Sequence, residues 1–207
     1  MKALLLKDWY VLWKQTRFFL LFVLIFSLMP GTGYSIFAIT YAGMLPFTAM
    51  AYDERSHWDA LSAMLPYSVR DLVLSRYAVG WIGIAGAGLL SLLTSLVEQS
   101  LFPDRFDSSA PAFILLGIPT AVIFMALILP FMFRFGVEKA RLALYIAIIA
   151  LSAGLGVLTA ASLSFSRGNL NLNLSLSALN WALPLLAVVL TICSVRLSMN
   201  FYRAHAA

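Results

Sequence analysis

Apolar residues run without a formal charge through residues 18–50, and again through 77–97, 111–133, 142–165 and about 178–195. A helix needs about 20 mostly apolar residues to cross about 30 Å of hydrocarbon, and the runs are of that order. The first block is interrupted by Pro30-Gly31-Thr32-Gly33, where a helix continues poorly. It divides into 18–29, reaching toward Tyr34, and 35–52, both short enough to call for tilt or extension. Six spans result. None shows the ten-residue alternation of a barrel strand, and backbone groups in lipid must be satisfied within their own segment, so the spans are expected to be helices. The predicted fold class is all-α, a polytopic membrane protein of six transmembrane helices. Residues 1–17 form an interfacial helix ahead of a single membrane domain over 18–207.

Composition agrees with that pattern. Of 207 residues, 62% are hydrophobic and 11% charged, where soluble domains carry roughly 45–50% and 25%. A soluble fold of this size has too little interior for so much apolar surface. A disordered chain, a disulfide-stapled secreted domain and a nucleic-acid module are excluded by the same figures, and the one cysteine, Cys193, forms no intrachain disulfide. The net charge of +5 mostly reflects topology. With the N-terminus inside, every basic residue except Arg105 and Arg167 falls in an inward segment. Both termini are therefore expected in the cytoplasm, with the protein in the inner or plasma membrane and its basic side drawn to membrane lipid.

On a 3.6-residue helix, Leu5, Trp9, Leu12 and Trp13 share one face, while Lys7, Lys14 and Gln15 lie opposite. This is the pattern of a helix lying at the membrane surface, with a plain extension of the first span as the alternative. The outward loops are small. One is residues 98–110; the other, near 169–177, alternates Asn or Ser with Leu, which suits a short extended hairpin.

Catalytic chemistry finds little support. A phosphate-binding loop needs Gly-Lys followed by Ser or Thr, but the four lysines precede Ala3, Asp8, Gln15 and Ala140. The two histidines, His57 and His205, and the cysteine stand far apart, so no metal or cofactor is expected on this chain. The spans at 77–97, 111–133 and 142–165 carry no ionisable Asp, Glu, Lys, Arg or His of the kind that marks ion coupling. Any energy source is then external to these spans.

The most charged inward loop is the informative one. Asp53, Glu54 and Asp59 accompany an apolar set, Trp58, Leu61, Met64 and Leu65, spaced as one side of a short helix that Pro66 stops. Ser68 and Asp71 form a Ser-x-x-Asp cap that restarts a helix into the third span. A short amphipathic helix between two rigid joints suits the transmission of force; an ordinary connector resting on headgroups is the plain alternative.

Asp53-Glu54-Arg55 with Trp58-Asp59, then Leu65-Pro66 with Ser68, then Val73-Leu74-Ser75-Arg76-Tyr77, resembles the corresponding loop of type-2 ATP-binding-cassette exporter permeases. It is most similar to the six-span branch that includes phenol-soluble-modulin exporters. Met1-Lys2-Ala3-Leu4-Leu5-Leu6-Lys7-Asp8-Trp9-Tyr10 resembles the interfacial start of that branch, and Phe135-Gly136-Val137-Glu138-Lys139-Ala140-Arg141 its second inward loop. Val69 departs from the basic residue many relatives carry there. The resemblance implies a coupling helix at 53–65 whose Asp53, Glu54, Arg55, Trp58, Asp59, Leu61, Met64 and Leu65 dock into a separate ATPase subunit. It implies a second contact through Glu138, Lys139 and Arg141, and a working unit of two permeases (a second copy or a homologue) with two ATPases. ATP and Mg would be bound by the partner. An uncharged path including Phe47, Thr48, Thr94 and Thr120 would suit an amphipathic or hydrophobic substrate, such as a peptide or drug-like molecule. A non-transporting membrane partner (an immunity or sensor-anchoring subunit) and a passive channel or secondary carrier are the alternatives. Gly80, Gly83, Gly86 and Gly88 in the third span either allow close helix contact or only relieve packing.

Overall fold

A computed structural model describes residues 2–15, 17–29, 31–58, 61, 64, 67–102, 110–165 and 176–206, with some side chains inside the helices outside that description. The described residues form seven long helices: α1 (Lys2–Gln15), α2 (Arg17–Leu28), α3 (Thr32–Ala42), α4 (Leu45–Arg55), α5 (Val69–Leu101), α6 (Ala110–Phe165) and α7 (Leu176–Ala206). No strand occurs among them. Among the described residues, four stretches are long and apolar enough to cross a membrane: Gly33–Arg55, Val69–Leu101, Ala110–Val137 and Leu183–Arg203. The other two of the six expected spans correspond to α2, only twelve residues long, and the stretch of α6 beyond Gly136.

The breaks follow local chemistry. The chain leaves α2 at Leu28 and resumes helix at Thr32, across the Pro-Gly segment. Ser68 caps α5 with an extended backbone, its Oγ accepting the Asp71 amide at 3.1 Å, as the Ser-x-x-Asp spacing requires. A further break, absent from the sequence reading, splits the second expected span at Gly43 and Met44. Pro46, at the start of α4, lacks the amide that a continuous helix would need. The inward loop expected between 133 and 142 is compressed to one non-helical residue inside α6, Gly136, at φ 75 and ψ 171. The expected outward hairpin lies largely outside the described residues, as does the centre of the 98–110 loop; Leu176 and Ser177 already belong to α7.

Ile39 of α3, Val73 and Ile84 of α5, and Ile114, Met125 and Leu129 of α6 are fully buried and hold the centre of the bundle. Leu89, Leu93 and Leu96 of α5 instead point outward and are well exposed, the arrangement expected of a surface whose solvent is lipid. Polar ties fix the helix pairs. The Thr94 hydroxyl donates to the Ser27 carbonyl of α2, and the Tyr77 hydroxyl bonds Ser194 and Ser198 of α7.

The glycines of α5 divide between the two readings. A Cβ at Gly83 would lie 3.2 Å from the Ala42 carbonyl oxygen and closer still to Leu45, whereas one at Gly86 would meet nothing within 4 Å. Gly83 therefore sets a close approach of α5 to the α3–α4 break. Gly83→Ala is expected to lose about 1–3 kcal/mol through overpacking. Gly86→Ala should be neutral or gain up to about 1 kcal/mol of helix propensity. Thermal unfolding midpoints in a single detergent distinguish the two, and equal shifts would refute the close-contact role.

Candidate functional site

The loop between α4 and α5 is held at both ends by a cluster of four charges, of which Asp8, Asp53 and Arg76 are buried and Lys7 partly so. Asp53 lies in the last turn of α4 and Arg76 about two turns into α5, while Lys7 and Asp8 come from α1. Lys7 Nζ donates to both Asp53 oxygens at 2.8 and 2.9 Å and lies 3.1 Å from Asp8 Oδ1. Arg76 Nη1 donates to Asp8 Oδ1 at 2.8 Å, and Nη2 donates to Asp53 Oδ2. Two cations and two carboxylates leave the cluster neutral, which is the condition for keeping such groups out of water. Asp8 is 1% exposed. Lys7 Nζ also sits 4.1 Å from the centre of the Trp58 ring, so the same cation reaches into the loop.

Glu54, the next residue, ties the loop in another direction. Its Oε2 accepts the amide of Val137 at 2.9 Å, across 83 positions of chain. Val137 opens the helical run after Gly136, so Glu54 caps a helix start with a charge of the favourable sign. Gly136 occupies a region of backbone conformation open essentially to glycine alone. The two elements expected on the inward side, 53–65 and 135–141, thus meet here. Glu54→Ala is expected to lower stability by about 1–2 kcal/mol, with Glu54→Gln recovering much of it because an amide oxygen still accepts the bond. Unfolding midpoints of the two variants check this, and identical losses would show that the cap contributes nothing.

The two carboxylates at the head of the expected docking helix are therefore committed within the chain. Asp53 is buried by these contacts, whereas Glu54 remains exposed while making its bond. Arg55 and His57 are exposed, and His57 turns the chain at φ 51, an uncommon conformation for a residue with a side chain. Trp58, Leu61 and Met64 are helical; Trp58 is half-buried, Leu61 is 55% exposed and Met64 84% exposed. Asp59 and Leu65 lie outside the described residues. Lys139 is exposed on α6, and the side chains of Glu138 and Arg141 lie outside the description.

Lys7, Asp8 and Arg76 went unnoticed as site residues in the sequence. The pattern assigned Lys7 to the polar face of α1, but Leu4 and Asp8 form the packed side and Lys7 turns in with them, leaving Trp9 and Trp13 exposed and stacked with ring centres 6.4 Å apart. The available signal was that Asp8 and Arg76 stand beside strongly apolar runs, since such charges require partners. The four residues expected along a path occupy different settings. Phe47 is buried with its ring centre 6.3 Å from that of Phe124, and Thr94 bridges α2 and α5. Thr48 and Thr120 turn their hydroxyls back to the carbonyls of Leu45 and Leu116.

Residues 3–203 match the family model described as ABC-2 family transporter protein. No curated protein and no solved structure matches the chain.

Proposed function

The chain belongs to the ABC-2 transporter family, and from that premise we propose that this permease subunit exports an amphipathic or hydrophobic substrate under the control of a cytoplasmic ATPase that grips the 53–65 loop. Members of this family normally work with an ABC ATPase subunit. The observation that carries the reading is the contrast within the loop. Leu61 and Met64 are bare apolar side chains, while the loop's entrance and exit are joined through Asp53 and Arg76 to α1. A force applied to the bare face then reaches α4, α5 and α1 as one body, because displacing any one of them alone would separate buried opposite charges.

The rest of the assembly follows the same proposal. Six spans with both termini in the cytoplasm put the loop and the Gly136 break on the ATPase side, where Lys139 adds a second contact. Two permeases and two ATPases form the unit; ATP and Mg are bound by the partner, and this chain supplies the path. The resemblance of the sequence motifs at 1–10, 53–77 and 135–141 to the phenol-soluble-modulin exporter branch supports a peptide-like amphipathic cargo.

The test is uptake of a fluorescent amphipathic peptide into inverted vesicles holding the chain together with its ATPase. Uptake should require ATP, both subunits and an intact loop. ATP-dependent assembly without uptake would support a non-transporting membrane partner, and uptake without nucleotide would support a channel or secondary carrier.

A further inference from the structure

An open groove of about 260 Å³ lies on the seam between α6 and α7, lined by apolar side chains including Leu127, Leu190 and Leu197 and ended by Arg134 and Phe201. Its charged end coincides with the ends of two candidate spans, Ala110–Val137 and Leu183–Arg203, so Arg134 lies at the edge of the apolar layer. The Arg134 guanidinium stands over the rings of Phe135 and Phe201, 5.1 Å from each ring centre. It has no carboxylate partner among the described residues. The rings hold the cation at the mouth of the groove without using its charge-assisted donors.

We infer that this groove seats one anionic phospholipid, an acyl chain lying along the α6–α7 seam and the phosphate on Arg134. Seven positions separate Leu127 from Arg134, about 10 Å of helix, which accommodates the part of an acyl chain nearest the headgroup. Charge selects the occupant. A zwitterionic headgroup offers its phosphate with a competing cation, whereas an anionic one brings no such cation to Arg134. A second copy of the chain packed symmetrically on the groove would bring one Arg134 toward the other, a like-charge contact. The inference does not depend on whether the chain transports anything.

The experiment uses the full chain in detergent with dioleoylphosphatidylglycerol or dioleoylphosphatidylcholine, bound lipid being counted by native mass spectrometry. N-ethylmaleimide alkylation of Cys193, the single cysteine and a groove-lining, exposed residue, is followed on the same samples. The wild type should prefer phosphatidylglycerol by about fivefold, and that lipid should slow alkylation of Cys193. Arg134→Gln should abolish both the preference and the protection, while Arg134→Lys retains them in part. Leu197→Trp, which fills the groove and leaves the charge in place, should reduce bound phosphatidylglycerol. Equal binding of the two lipids by the wild type, an undiminished preference in Arg134→Gln, or alkylation indifferent to phosphatidylglycerol would overturn the assignment. So would full lipid retention by Leu197→Trp.

Discussion

Asp53→Asn is expected to destabilise the purified chain by about 3 kcal/mol or more, and Arg76→Gln by a similar amount, because each strands an uncompensated charge in a nearly water-free site. The Asp53 and Arg76 side chains are only 10% and 9% exposed, so screening by solvent offers little relief. Asp53→Asn leaves Lys7, Arg76 and Asp8, with one excess positive charge. Arg76→Gln leaves one excess negative charge. The double variant retains Lys7 and Asp8, which lie 3.1 Å apart and remain neutral as a pair. Its loss should therefore fall short of the sum of the single losses by about 2 kcal/mol, the coupling expected of groups sharing one network. Denaturant unfolding in one detergent measures the cycle. Strict additivity would mean that the four charges act independently and that the loop ends are not joined through them.

Leu61→Glu combined with Met64→Glu should leave the fold intact and remove the grip of the ATPase. Both side chains are exposed, and surface substitutions of that kind stay within about 0.5 kcal/mol. At an interface the same side chains would each contribute about 1.5–3 kcal/mol by burial. Losing both, with carboxylates introduced in their place, should weaken association by more than about 100-fold. ATP-driven uptake should fall to background while the unfolding midpoint stays unchanged. This is the inverse of the Asp53 result, where stability falls first. Retained association with the ATPase would place the docking surface elsewhere on the chain.

These two results probe parts of the protein that differ in how readily a sequence displays them. The apolar side of the loop is local: Trp58, Leu61 and Met64 stand at helical spacing between Asp53 and Pro66, with Leu61 and Met64 bare, just as Ser68 and Asp71 reveal the cap of α5. The break at residues 30–33 is likewise written in proline and glycine. The α3–α4 break was hidden because Gly43 and Pro46 lie inside an apolar run that reads as one span. The charges at Arg134, Glu138, Lys139 and Arg141 suggested a loop, yet all are compatible with helix, and Gly136 alone leaves helical geometry. The charge cluster was illegible for a different reason. Its contacts between helices join residues 23, 46 and 68 positions apart, and no spacing rule pairs residues that meet only when three helices pack. Consequently Asp53, which the sequence offers as a docking acid, is buried among its partner charges, while Glu54 stays exposed and is bonded to the Val137 amide.

The most direct measurement places a photoreactive amino acid at position 64 in cells that make the chain together with its ATPase. Illumination should yield one adduct with the ATPase subunit, and Leu61→Glu should abolish it. Adducts with lipid alone, or labelling of position 64 by a membrane-impermeant reagent added outside the cell, would contradict the account.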